Sequence, residues 1–189
     1  METNKTALLV MDLQMGIVSR LPDQGAAVVN KVAGAIKAAR EKNITVIFVR
    51  LGFQKGLPEI GAANQLFAAV KTQLAEGDKL ESYMQLHPKL GLQENDIVIN
   101  KKRISAFSGN ELETILRAQH IEKLVLSGMA TSGIVLSTLR EAFDKDYQLT
   151  VLRDGCVDAD EEIHNFLMDR LFIKQAAVLT VDNWKETLV

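Results

Sequence analysis

The sequence predicts a doubly wound α/β fold: three layers, α/β/α, around a six-stranded, mostly parallel sheet. Three observations lead there. Short apolar runs alternate along the chain with longer segments of helical period. Those runs are apolar throughout instead of alternating with polar residues, the mark of strands covered on both faces. Aromatic residues make up only 5% of the chain, so the core is built from Val, Ile, Leu and Ala. With 189 residues, 47% of them hydrophobic, there is material for one well-buried core and too little for two. No linker, repeat or low-complexity tract divides it, so residues 1–189 are expected to form a single domain.

The elements follow in order. Residues 6–11 read as a buried strand. Residues 24–42 read as a helix with Val28, Val32, Ala35, Ile36 and Ala39 on one stripe, closed by Asn43. Ile44 to Val49 is the second strand. The stretch from Arg50 to Asn95 is the least regular; it holds a helix near 62–75 and two of the three prolines, and reads as a binding lid or a subunit contact. Ile97-Val98-Ile99 is the third strand. Asn110 with Glu113 three residues on resembles a capping box, opening a helix that turns Leu112, Ile115, Leu116 and Ala118 inward. Lys123 to Leu126 is the fourth strand, followed by a helix from Thr131 or Ser132 carrying Val135, Leu139, Ala142 and Phe143. Leu149 to Leu152 is the fifth strand, 160–172 the last helix, and Ala176 to Leu179 the sixth strand. Right-handed crossovers then give the doubly wound sheet.

Composition excludes several functions. A net charge of −2 without a basic stripe leaves no footprint for nucleic acid. No apolar run approaches a membrane span or a cleaved leader, so a soluble cytoplasmic protein is expected. The one cysteine, Cys156, permits no internal disulfide. There is no G-x-G-x-x-G after the first strand, no P-loop and no G-x-S-x-G elbow. His87, His120 and His164 lack metal-ligand spacing, so neither a metal nor a cofactor is expected.

What remains is a set of polar strand endings. Leu8-Leu9-Val10-Met11 ends in Asp12, Ile97-Val98-Ile99-Asn100 ends in Lys101, and Leu124-Val125-Leu126 ends in Ser127-Gly128. In a parallel sheet these endings share the edge where ligands bind. A carboxylate and an ammonium in a partly dry cleft shift each other's proton affinity. The small residues of the turn from Ser127 to Gly133 let backbone approach a ligand closely, and the amides of the following helix start point toward the same crevice. A solvated strand terminus, a charged surface turn and a tightly packed βα turn are the plain structural alternatives for the three pieces.

The stretches Leu8-Leu9-Val10-Met11-Asp12-Leu13-Gln14, Lys101 to Leu112, Leu124 to Thr131, and Asp154-Gly155-Cys156-Val157-Asp158 with Glu162-Ile163-His164 resemble the isochorismatase-like hydrolase family, also called the cysteine hydrolase superfamily. The resemblance covers nearly the whole chain. It implies a Rossmann-like strand order 3-2-1-4-5-6 and a non-proline cis peptide between Met129 and Ala130. It matches Asp12 and Lys101 to the family's catalytic aspartate and lysine; Lys101, not Lys102, lies six residues before Phe107. It places substrate against Gln14, Phe107, Met129, Ala130, Ser132, Gly133 and Ile134, and it implies a homo-dimer or homo-tetramer. The amidase members carry a cysteine as Gly-x-x-Thr-x-x-Cys, and here that position is Ile134. A thioester route is closed there, and Ser132, Thr131, Ser137 and Cys156 are weaker substitutes. The expected function is hydrolysis of a small anionic metabolite by Asp12 and Lys101 without a thiol. The alternative is a silent relative that binds a small molecule or a partner protein.

Overall fold

A computed structural model describes residues 5–74 and 79–188. Its strands are β1 (Thr6–Met11), β2 (Thr45–Leu51), β3 (Ile97–Lys101), β4 (Lys123–Met129), β5 (Gln148–Val157) and β6 (Ala177–Leu179). They form one sheet in the order β3-β2-β1-β4-β5-β6, with every pairing parallel. The expected three layers and strand order are thus what the chain adopts. The chain winds outward from β1 through β2 to β3, then crosses back to β4 on the other side of β1. That reversal makes the carboxyl ends of β1 and β4 the switch point of the sheet, where α/β proteins leave a crevice.

All six residues of β1 are buried, because both faces of the strand are covered. Leu8 and Val10 face a layer built by α2 (Pro22–Glu41) and α8 (Val181–Glu186), with Val32, Ile36 and Trp184 in its core. Ala7, Leu9 and Met11 face the opposite layer, built by α5 (Leu112–Ala118) and α6 (Leu136–Asp144), with Leu116, Leu139 and Phe172. A third, smaller cluster lies over the carboxyl end of β2. It joins Leu51, Phe53 and Leu57 to Phe67, Val70 and Leu74 of α3 (Gln65–Leu74) and Tyr83 of α4 (Lys79–Met84). This cluster roofs the segment after Arg50. Its short helix α4 carries too few residues to show a period. The remaining helices are α1 (Met15–Val18) and α7 (Glu161–Phe166).

The long helix begins at Pro22, a residue suited to a first helical turn, and its predicted stripe is buried. Asn43 ends it in the left-handed region, at φ 56°. Other expectations shift. The helix read from Asn110 starts at Leu112, and the Asn110 side chain accepts the Leu112 N–H at 2.9 Å. Ala118 is exposed, since two residues beyond Leu116 is roughly 200° around the helix. Phe143, in the last turn of α6, is exposed as well. The helix expected over 160–172 stops as α7 at Phe166 and continues as a wider turn through Leu171. β5 runs to Val157, past the expected Leu152, with a register shift opposite Leu126 and Gly128.

Gly128 shows how tightly β1 and β4 meet. Its φ is 149°, and an added Cβ would lie 2.1 Å from the Met11 carbonyl oxygen. Gly128→Ala is expected to lower stability by about 3 kcal/mol. Gly61→Ala, where an added Cβ meets nothing within 4 Å, should change it by less than ~0.5 kcal/mol. Urea unfolding of the two variants checks the contrast.

Candidate functional site

At the carboxyl edge of the sheet β1 ends by turning. Asp12 adopts φ 55°, a left-handed conformation that Asp and Asn tolerate better than other side chains. Its N–H donates to the Val49 carbonyl at 2.8 Å, so the turn leans across the end of β2. Two strands away, β3 ends on Lys101. The Lys101 Nζ lies 2.9 Å from Asp12 Oδ2 and also donates to the Arg103 carbonyl at 3.0 Å. Asp12 is 5% and Lys101 1% exposed. Asp12 Oδ1 is buried without a hydrogen-bond partner. Burial pushes the Asp12 carboxyl above its ordinary proton affinity; the Lys101 charge, its hydrogen bond and the Leu51 peptide pull the other way and are outweighed.

Beside this pair the chain leaves β4 through a cis peptide between Met129 and Ala130, followed by a wide turn over Thr131–Val135. Several of the turn's polar groups are engaged internally. The Ser132 N–H donates to Asp158 Oδ2 at 2.6 Å. The Gly133 and Val135 N–H groups both donate to the Ala130 carbonyl. Thr131 Oγ1 is 2.8 Å from His164 Nδ1, and burial lowers the proton affinity of that imidazole. The amides of Ser132 and Gly133, expected to face substrate, therefore hold the turn instead. Ile134, at the nucleophile position, is 2% exposed and packs in the layer that contains Ile99, Ala106 and Leu139. Met129 is buried in the opposite layer, against which Ala130 packs. Cys156 is buried too, and burial drives its thiol up to about 12, far from a thiolate at neutral pH.

The other expected residues are placed as follows. Gln14 is fully buried; its Oε1 accepts the Leu51 N–H at 2.8 Å and its Nε2 donates to the Tyr83 carbonyl at 3.0 Å. It ties the roof to the sheet edge next to Asp12. Phe107 stacks on Tyr147, with ring centroids 6.1 Å apart, just before β5 begins. Phe53 lies in the roof cluster, apart from Phe107. Arg103 donates to the Glu59 carbonyl at 3.1 Å and lies over the Phe67 ring. Tyr83 and the Arg103 carbonyl, both part of this surround, carry no sequence signal, because only tertiary contact gives them a role. Among the described residues no three of His, Cys, Asp and Glu gather as a metal site, and no helix is long and apolar enough to cross a membrane.

The chain is similar to known proteins over nearly its whole length. It is 31% identical over 204 residues to a ureidoacrylate amidohydrolase of Stutzerimonas stutzeri, covering 97% of this chain and 79% of that one. It is 30% identical over 182 residues to an uncharacterised isochorismatase family protein of Bacillus subtilis, covering 96% and 93%. The solved structure of an isochorismatase family protein from Burkholderia thailandensis superposes with a TM-score of 0.85 at 31% identity, covering 98% of this chain and 96% of that one. The isochorismatase domain model matches residues 6–183. On these grounds, and with the Asp12–Lys101 pair at the switch point of the expected sheet, the chain belongs to the isochorismatase family of hydrolases.

Proposed function

We propose that the chain hydrolyses a small anionic metabolite by acid–base chemistry of Asp12 and Lys101, with no covalent intermediate. The observation that carries this reading is a buried carboxyl whose proton affinity is raised although an ammonium touches it, and whose second oxygen has no partner. The Lys101 ammonium holds Oδ2. A proton on Asp12 then belongs on Oδ1, the oxygen free to donate it. A raised proton affinity is the direction of shift that a general acid needs. Toward an enol ether, Asp12 would protonate the double-bond carbon and water would add to the resulting cation. The proton lost by that water returns to Asp12, and collapse of the hemiketal releases the alcohol. No side-chain nucleophile enters.

Amide hydrolysis through a nucleophile at position 134 is closed, since Ile134 has no nucleophilic atom and is buried. The nearest thiol, on Cys156, is held protonated. Cys156→Ala is expected to leave turnover within about twofold, and the native thiol to resist iodoacetamide at pH 8 until the protein unfolds. A binding role without turnover is favoured by one feature, the burial of Met129 and Ile134 in the two core layers beside the turn.

A hydrolysis screen of enol ethers, amides and ureido acids decides between the two. On any substrate turned over, Asp12→Asn, which also tolerates the left-handed backbone, is expected to lower kcat by about 10²–10⁴-fold. Unchanged turnover would remove Asp12 from the mechanism. The pH profile gives a second check. The acid must be protonated, so the rate falls as pH rises through the elevated Asp12 value. Lys101 lowers that value, so in Lys101→Gln the falling limb should move to higher pH, whatever the absolute rate. A limb that stays in place would show that another group titrates.

A further inference from the structure

The turn after β4 offers little to an anion, because the Ser132 N–H is bonded to Asp158 and the Gly133 N–H to Ala130. Cationic groups gather elsewhere. A cleft of about 1280 Å³ is lined by the roof segment together with Arg50, near the carboxyl end of β2. Arg50, Lys55 and Lys71 line it together with Phe53, Leu57 and Leu80, and Glu81 is the one carboxylate among its described lining residues. Arg50 is fixed in place: Nε donates to Asn100 Oδ1 at 2.9 Å and Nη1 to the Met84 carbonyl at 3.3 Å. Its Nη2 makes no hydrogen bond among the described residues, so a planar guanidinium is held with donors to spare. Lys71 Nζ is braced against the carbonyls of Leu57 and Ile60. The cleft exceeds the roughly 300–1,000 Å³ usual for small-ligand sites. Its lining combines three cationic side chains with Phe53, Leu57, Leu74 and Leu80.

We propose that this cleft binds a carboxylate attached to an apolar body, with the carboxylate on Arg50 and the body against Phe53, Leu57 and Leu80. The cleft abuts the cover of the Asp12–Lys101 pair. Arg50 precedes Leu51, whose peptide bears on Asp12, and Met84 follows Tyr83, whose carbonyl holds Gln14. Resting on the hydrolase reading above, this assigns the substrate class: an amphipathic monocarboxylate whose anion is read at the roof.

Titration calorimetry of the whole chain with hexanoate, hexanol and inorganic phosphate tests it. Hexanoate is expected to bind saturably, with hexanol and phosphate each at least about tenfold weaker, because each lacks one half of the recognition. Arg50→Gln should weaken hexanoate about tenfold or more. Lys55→Gln, at an exposed residue whose loss cannot unfold the chain, should weaken it severalfold and flatten its salt dependence. Amide NMR shifts on titration should centre on Phe53, Leu57 and Met84. Absence of saturable hexanoate binding, equal binding of hexanol, or affinities unchanged in both variants overturns the proposal. Asp12→Asn separates the two readings, since it should keep hexanoate binding while abolishing turnover. Binding without any hydrolysed substrate leaves the cleft standing and removes the enzyme. Hydrolysis with KM unchanged in Arg50→Gln and Lys55→Gln removes the cleft.

Discussion

The structure turns on one buried contact between a carboxyl and an ammonium. Asp12 and Lys101 close on each other at 2.9 Å across the end of the strand that separates them. Taking two charges out of water carries a desolvation penalty of several kcal/mol per ion, which their attraction offsets only with good geometry and further hydrogen bonds. Here the further bonds are incomplete. Lys101 gains the Arg103 carbonyl, and Asp12 Oδ1 gains nothing. A sequence shaped for stability alone would fill the site with apolar side chains or give the second oxygen a donor. A carboxyl left half-satisfied at a topological switch point is better explained by chemistry than by folding.

The neighbouring turn has an isoleucine where a nucleophile could sit. Ile134 is in the aliphatic layer with Ile99 and Leu139, and polar contacts fix the turn around it: Thr131 to His164 and Ser132 to Asp158. A packed, internally bonded turn offers shape and rigidity to the crevice, and little reactivity. In the proposed reaction the chemistry is assigned to Asp12 and Lys101. Cys156 adds nothing to it, for a thiol buried on β5 and held protonated is a small core side chain.

Much of this was legible in the sequence, and the reasons are physical. Buried parallel strands write themselves as continuous aliphatic runs, so β1 to β4 stood out, and the polar residue ending each run marked the functional edge. Asp12 and Lys101 were readable for that reason. The register that brings them within 2.9 Å was not, since it depends on packing of the whole sheet. Ala118 is exposed because two residues past Leu116 is roughly 200° around the helix, and Phe143 is exposed in the last turn of α6. Short α4 was invisible, and with it Tyr83, whose carbonyl secures Gln14. Gln14 itself looked like a ligand contact; its burial and its bonds to two backbone segments show a clamp, something only long-range contacts reveal.

The roof and the acid depend on each other. Leu51, Phe53, Phe67 and Tyr83 pack into one cluster over the carboxyl end of β2, and Gln14 pins that cluster to the strand turn that carries Asp12. Excluding water has two opposite effects on the carboxyl. Desolvation raises its proton affinity, while the low dielectric strengthens the pull of Lys101 toward the ionised form. Desolvation is the larger of the two here. A looser roof would readmit water and weaken the desolvation that raises the proton affinity of Asp12. The irregular segment after Arg50 therefore bears on the carboxyl: its apolar contacts help keep water from Asp12 and so raise its proton affinity.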